Sequence, residues 1–179
     1  MTLGVAVLGA AAVAGWLYLG HRGGPDSSGP APRAESTRVR DTVAGFSVGI
    51  PAGWQVSPGE SGYGTVYRPA GGDQSAGLQI VRATQDALSA CEVLRESTGE
   101  LSKYPGYREV SREPVGGDGC EQVYELDDPA SAEPPAHAVV RLVVAADDTR
   151  WVLLVYGPNT DVPLVRAHLT AVVESFRVD

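Results

Sequence analysis

The side chains of this sequence that could do acid–base or metal chemistry stand apart from one another. The three histidines are His21, His137 and His168, and no two of them have the spacing of metal ligands. No cysteine or carboxylate joins a histidine at the interval of a metal site. Serines are plentiful, but none lies in the G-x-S-x-G string that marks a nucleophile elbow. The sequence therefore predicts no catalytic residue, no cofactor-binding residue and no metal ligand.

Two pairs of adjacent carboxylates are the remaining candidates for a cation site. The aspartates at 127–128 are followed by Pro129, and those at 147–148 are followed by Thr149. Aspartates at such positions accept hydrogen bonds from the backbone of a turn. A calcium site would need more oxygen ligands than one pair supplies. We interpret both pairs as turn residues, with a weak calcium site as the alternative.

A glycine-bearing string, GESGYGTVYR at 59–68, has the look of a phosphate-binding loop. It is similar to the glycine-rich loop of protein kinases, but Ser61 stands where the middle glycine belongs. Phosphoryl transfer also needs a strand lysine, a catalytic-loop aspartate with its asparagine, and a metal-binding Asp-Phe-Gly. None is present after the loop, and the strand that should carry the lysine offers Arg82. The string predicts a hairpin and not a kinase active site.

The chain has two cysteines, Cys91 and Cys120. An even count in a domain that is exported predicts one disulfide, which would close a loop of roughly 30 residues and contribute on the order of 3 kcal/mol. The alternative is a pair of unrelated buried thiols in a reducing compartment. We favour the disulfide, with Cys91 on a helix that faces the strand beginning near Cys120.

Residues 1–20, MTLGVAVLGAAAVAGWLYLG, carry no charged side chain and predict a membrane anchor. At about 1.5 Å per residue, the apolar run spans roughly 27 Å, close to the hydrocarbon core of a bilayer. Trp16 and Tyr18 stand where aromatic side chains meet the membrane–water boundary. A cleavable signal peptide and a buried soluble helix are the alternatives. The small residues Ala11 and Gly15 would permit weak dimerisation of the anchor.

Flanking charge and cysteine content point to opposite sides of the membrane for the rest of the chain. The positive residues next to the anchor are His21 and Arg22, and the positive-inside rule would place them in the cytoplasm. The cysteine pair favours the opposite, extracytoplasmic side, because disulfides form in oxidising compartments.

Residues 21–40 are rich in glycine, proline and serine and predict a flexible linker before a domain at 41–179. The chain carries a formal charge of −8, and the linker is positive, so the predicted domain carries −10. Such a charge repels phosphate backbones and argues against a nucleic-acid partner. About 139 residues are enough for one ordinary domain that folds by itself.

The hydrophobic pattern of the predicted domain indicates an α+β fold, with an antiparallel sheet and packed helices. Runs with β-strand alternation are separated by glycine and proline turns, whereas two segments show the period of an amphipathic helix. We predict strands at 43–50, 63–68, 78–83, 107–110, 121–126, 138–145 and 150–156, with a short strand after the turn at 52–54. One predicted helix opens at 86 and is ended by Pro105, and the other spans 161–176.

Four short motifs carry a family resemblance. They are FSVGIPAGW at 46–54, PGYR at 105–108, WVLL at 151–154 and SFR at 175–177. Together they resemble a recurrent actinobacterial module found as the extracytoplasmic C-terminal part of membrane-spanning serine/threonine kinases and in small anchored surface proteins. The resemblance implies a PsbP-like fold, an antiparallel sheet sandwiched by helices, and the extracytoplasmic orientation.

The resemblance implies a non-catalytic binding or assembly module, and fold likeness assigns no site. We therefore expect a membrane-tethered sensory or interaction domain that binds an unknown protein or small ligand. In one interpretation, this domain is the detached tail of a kinase-type receptor. A lipid or small-molecule carrier with an apolar pocket is the first alternative, and a hydrolase with an unrecognised site is the second. The largest pocket of the fold discriminates among the three.

Overall fold

A computed structural model of the protein describes residues 35–57, 64–71, 73–130 and 134–179. The predicted anchor, most of the predicted linker and the glycines at 59 and 62 lie outside these ranges. Within them, no helix is long and apolar enough to cross a membrane.

The described residues form ten strands and two α-helices. The strands are β1 (Ser36–Asp41), β2 (Phe46–Pro51), β3 (Trp54–Val56), β4 (Thr65–Pro69), β5 (Gly77–Ala83), β6 (Tyr107–Val115), β7 (Gly119–Leu126), β8 (Ala136–Val144), β9 (Arg150–Pro158) and β10 (Arg177–Val178). The helices are α1 (Ala90–Ser97) and α2 (Val162–Ser175), and short 3₁₀ turns lie at Leu101–Lys103 and Asn159–Asp161.

The strands make two antiparallel sheets. The larger has seven strands in the order β3-β4-β5-β9-β8-β7-β6, and the smaller has three in the order β1-β2-β10. Because successive side chains of a strand point to opposite faces, the central strands of the larger sheet bury apolar residues on both sides. On β8, for example, Val139 belongs to one core and Val140 to the other.

Each face of the larger sheet has its own core. The main core lies between that sheet, α2 and the smaller sheet, and it includes Phe46, Val48, Leu153, Val155, Leu169 and Val172. The second core lies under α1 and includes Val93, Leu94, Tyr124, Val140, Leu142 and Val152. The predicted α+β class with an antiparallel sheet between helices is therefore confirmed.

Helix α1 is shorter than the sequence pattern predicted. Ser89 is its N-cap, and a capping box with Glu92 fixes the start: each residue's side chain accepts a hydrogen bond from the other's backbone N–H. The helix ends at Ser97, and the backbone N–H of Thr98 bonds to the carbonyl oxygens of Leu94 and Glu96. Residues 86–88 therefore belong to the loop that leads into the helix.

The predicted boundary between linker and domain at residue 41 is wrong by five residues. Residues 36–41 form β1, which pairs along its whole length with β2, from Ser36 opposite Pro51 to Asp41 opposite Phe46. Val39 packs against the main core, and Arg38 donates a 2.9 Å hydrogen bond to the Ser47 hydroxyl. The segment shows no apolar period because Val39 is its only apolar residue.

Candidate functional site

Two open grooves lie at the end of the larger sheet where the β6–β7 and β8–β9 hairpins turn. The disulfide groove, of about 990 Å³, lies on the α1 side, and its lining includes Arg82, Asp86, Cys91, Asp118, Asp147 and Arg150. The C-terminal groove, of about 640 Å³, lies on the α2 side, and its lining includes Val115, Val143, Val173, Phe176, Val178 and Asp179. Gly117, Asp118 and Gly119 border both grooves, so the β6–β7 turn separates them.

The disulfide between Cys91 and Cys120 closes the inner end of the disulfide groove. It links the first turn of α1 to the start of β7, with the two Cα atoms 5.2 Å apart. This is the pairing and the arrangement of helix and strand that the sequence predicted. Cys91 is partly exposed and lines the groove, whereas Cys120 has no exposed surface.

Two of the charged side chains in the disulfide groove, those of Arg150 and Asp147, are held by local contacts. The guanidinium group of Arg150 donates to the carbonyl oxygens of Gln85, at 2.9 Å, and Leu88, at 2.7 Å, and so holds the loop before α1. Asp147 accepts hydrogen bonds from the hydroxyl and the backbone N–H of Thr149, which lower the pKa of its carboxyl group.

The aspartates at 147–148 therefore have the turn role that the sequence predicted. Asp148 adopts a φ of 62°, a left-handed conformation that aspartate tolerates in tight turns. The alternative of a calcium site gains no support, because the described part of the chain contains no group of three or more histidine, cysteine, aspartate or glutamate side chains able to hold a metal.

A buried polar cluster lies between α1 and the sheet, and sequence reasoning missed it. Gln122 of β7 has no exposed surface, and its amide nitrogen donates to Thr98, at 3.1 Å, and to the Glu109 carboxylate, at 2.8 Å. The Tyr107 hydroxyl is 3.4 Å from the same nitrogen. Burial raises the pKa of this hydroxyl. The alternation of β7 could have placed Gln122 beside Tyr124 on an inward face. The cluster orients α1 on the sheet.

Ion pairs cover the α2 side of the same strands. The Glu121 carboxylate accepts hydrogen bonds from Arg141 of β8 and, at 3.0 Å, from Arg166 of α2. Burial alone would raise the pKa of Glu121, but these hydrogen bonds bring it below its ordinary value. Glu125 pairs with Arg108, and its carboxylate lies 3.6 Å from Nδ1 of His137.

The structure does not bring the histidines together. His137 lies in β8 with only 4% of its surface exposed, and burial lowers its pKa. His168 lies on α2 against Trp54, with ring centroids 5.5 Å apart, and burial lowers its pKa as well. His21 lies outside the described residues. Neither of the two described histidines lines a groove.

The described groove residues therefore provide surfaces for binding but no assembled catalytic group. The hydroxyl groups in the disulfide groove belong to Thr84, Ser89 and Thr149. Two of them are engaged locally, since Ser89 caps α1 and Thr149 bonds to Asp147. Nucleophilic catalysis would need a hydroxyl or thiol within reach of a base and an orienting group, and these groove residues do not supply that set.

Solved structures show the same fold at low sequence identity. The Ran-binding protein Mog1p of Saccharomyces cerevisiae matches with a TM-score of 0.59 and 14% identity, over 81% of this chain and 96% of that one. Cyanobacterial PsbP (CyanoP) of Synechocystis matches with a TM-score of 0.53 and 15% identity, over 88% and 98%. LpqN, involved in cell envelope biogenesis of Mycobacterium tuberculosis, matches with a TM-score of 0.50 and 19% identity, over 80% and 90%. The chain therefore has the PsbP-like fold that its motifs implied.

The sequence comparisons give the family. No curated protein sequence matches this chain significantly. Residues 38–178, which begin within β1 and end within β10, match the family described as "Serine/threonine kinase C-terminal domain". The match covers both helices, the strands β2 to β10, most of β1 and every groove-lining residue except Asp179. The chain thus belongs to the serine/threonine kinase C-terminal domain family.

Proposed function

We propose that this protein is a non-catalytic, membrane-tethered interaction domain that works outside the cytoplasm. Its family supports the accessory role, since the domain is named for its place at the C-terminal end of a kinase and not for phosphoryl transfer. The structural neighbours support the fold alone, because one binds Ran, another is a PsbP and a third is involved in envelope biogenesis.

The observation that carries the proposal is the contrast between the closed interior and the open end of the sheet. Both faces of the larger sheet are filled by apolar side chains in two packed cores. The two large grooves lie outside these cores, at the hairpin turns, where a partner has direct access. Open grooves on a domain with a packed interior are better suited to binding a partner at the surface than to enclosing a ligand.

The two alternative functions have less support. A lipid carrier needs an apolar cavity between sheet and helix, but the disulfide groove is open and lined by charged side chains. A hydrolase needs convergent titratable groups in a cleft, and the strongly buried histidine, His137, lies in the sheet away from both grooves.

The membrane tether and the extracytoplasmic location belong to the proposal. They rest on the uncharged segment at 1–20 and on the disulfide, which an oxidising compartment would maintain. A domain held by a linker near the bilayer is well placed to contact envelope components or another membrane protein.

The test is a ligand screen by thermal shift on residues 35–179, run beside esterase, phosphatase and peptidase assays. We expect at least one class of ligand to raise the melting temperature in a concentration-dependent way with no turnover. Binding that the variants Asp118→Asn or Val143→Ser weaken would place the ligand in a groove. Reproducible hydrolysis that one substitution abolishes would contradict the proposal.

A further inference from the structure

The two cysteines of the disulfide differ in exposure. Cys91 is partly exposed and lines the disulfide groove, whereas Cys120 is completely buried among the apolar residues of the second core. Thiol–disulfide exchange requires a thiolate to approach one sulfur in line with the S–S bond. A thiol that enters the groove therefore meets Cys91, whereas Cys120 cannot be reached without unfolding.

The surroundings also make the two sulfurs chemically different. Cys91 is the second residue of α1, next to the backbone N–H groups of the first helical turn, a position that stabilises a thiolate. Cys120 lies in apolar surroundings, which favour its neutral thiol. After the bond opens, Cys91 is the reactive partner and Cys120 is the thiol that closes the bond again.

The charge of the groove selects among thiols. Its lining has four carboxylates, from Asp86, Asp118, Asp147 and Asp148, and two guanidinium groups, from Arg82 and Arg150. The guanidinium group of Arg150 already donates hydrogen bonds to two backbone carbonyl oxygens. The excess of negative charge attracts a cationic molecule and repels an anionic one.

We propose that Cys91–Cys120 is an exchange site for small thiols that carry a positive charge. A thiolate attacks Sγ of Cys91, the S–S bond breaks, and Sγ of Cys120 leaves with the electron pair and takes up a proton. The product is a mixed disulfide on Cys91 and a free thiol at Cys120. A second thiolate then releases Cys91 as a thiol, so that two small thiols are oxidised to their disulfide while the protein disulfide is reduced.

Exchange removes the covalent link between α1 and β7 at the groove. The contacts that remain between α1 and the sheet include the apolar packing of Ala90, Val93 and Leu94 and the hydrogen bond between Thr98 and Gln122. The shape of the groove, and with it the capacity to bind a partner there, then depends on thiols in the surroundings. This inference does not depend on the proposed interaction function.

The experiment uses the full chain in a neutral detergent and three thiols of different charge: cysteamine, 2-mercaptoethanol and 3-mercaptopropionate. Rates per thiolate are divided by those of the same thiols with hydroxyethyl disulfide, which removes differences in intrinsic reactivity. We expect a rate linear in thiol concentration and about threefold or more higher for cysteamine than for 3-mercaptopropionate at low salt. The preference disappears at high salt, because salt screens the charges.

Two further measurements locate the reaction. Quenching with an alkylating agent followed by peptide mass spectrometry is expected to find the mixed disulfide on Cys91 and the alkylated thiol on Cys120. The double variant Asp86→Asn and Asp118→Asn should lose the preference for cysteamine. Asp127→Asn is the matched control, since this exposed aspartate lies at the other end of β7.

Three results would overturn the proposal. A rate that does not depend on thiol concentration would show that exchange waits for unfolding. An adduct on Cys120 would contradict access through the groove, and equal normalised rates for the three thiols at low salt would contradict the charge selection.

Discussion

Gly106 gives a physical reason for the PGYR motif that precedes β6. Its φ is +79°, a conformation that side chains with Cβ atoms rarely adopt. A Cβ atom at this position would lie 2.4 Å from the carbonyl carbon of Asp127. The close approach is needed because the backbone N–H of Asp127 donates a 3.0 Å hydrogen bond to the Gly106 carbonyl oxygen. The glycine therefore starts the pairing of β6 with β7.

We predict that Gly106→Ala destabilises the fold by more than about 2 kcal/mol, because it adds a backbone clash to the cost of a left-handed residue. Gly117→Ala is the matched control. That glycine has a φ of +74° but no atom within 4 Å of a new Cβ, so about 1 kcal/mol of conformational cost is expected. Denaturant unfolding of both variants measures the difference. Equal losses would show that the contact with Asp127 relaxes freely.

His137 is expected to make the fold sensitive to acid. Its pKa in the folded state is lowered by burial, although the nearby Glu125 opposes the shift. Both ring nitrogens lack a hydrogen bond within the described structure. A histidine with a lowered folded pKa contributes stability above its unfolded pKa of about 6.5, and that stability is lost as the pH falls below this value.

We therefore predict that His137→Leu unfolds at the same denaturant concentration as the wild type or a higher one at pH 7.5. It should lose less stability than the wild type between pH 6.5 and pH 5. The reason is that the variant lacks the imidazole that takes up a proton when the wild type unfolds. Glu125→Gln should lose more, since the carboxylate that favours protonated His137 is gone. Parallel pH profiles for the three proteins would refute the assignment to His137.

At the scale of elements, β1 shows how a strand can form from residues with a linker-like composition. It is an edge strand of the smaller sheet, and its ladder with β2 supplies the hydrogen bonds that β2 needs on that side. Arg40 also pairs with Asp179, next to β10, at 2.9 Å. The two ends of the described chain are thus joined through the smaller sheet.

A truncation tests this role. We predict that residues 35–179 fold cooperatively, whereas 41–179 loses at least about 2 kcal/mol, because the main core loses Val39 and β2 loses its ladder. Circular dichroism during thermal unfolding measures both. Replacing the exposed Val43 by serine is the control, since its side chain lies in the β1–β2 turn away from the core and its change should have little effect. Equal melting temperatures for the two truncations would mean that β1 is dispensable.

At the scale of the whole molecule, the uncharged segment at 1–20 and the disulfide both bear on where the protein is located. The first predicts retention in a membrane, and the second predicts that the domain folds in an oxidising compartment. These two expectations are independent, because one depends on residues 1–20 and the other on a contact between α1 and β7.

We predict that the full chain, expressed in a bacterium with a tag at each end, stays in the membrane fraction after alkaline extraction. Residues 35–179 alone should stay in the soluble fraction. An alkaline phosphatase fused after Asp179 should be active, because that enzyme needs its own disulfides and folds outside the cytoplasm. Loss of the N-terminal tag with release of the domain would favour the cleaved signal peptide, and an inactive fusion would contradict the orientation.

The sequence by itself determined the features that depend on near neighbours in the chain. Runs rich in β-branched residues predicted the paired strands β8 and β9. The period of α2 was clear because its fourteen residues carry one buried stripe, formed by Val165, Leu169 and Val172. The turn role of Asp147 followed from the short range of its hydrogen bonds to Thr149. The pairing of Cys91 with Cys120 followed because no other cysteine is available.

Tertiary structure alone decided the features that depend on distant partners. Ser36–Asp41 is a strand only because β2 offers an unpaired edge, and no local pattern encodes that edge. Gln122 is buried because Thr98 and Glu109, from α1's end and from β6, satisfy its amide. The different exposure of the two cysteines arises where two hairpin turns and α1 meet, since a groove is formed by surfaces that are far apart in sequence.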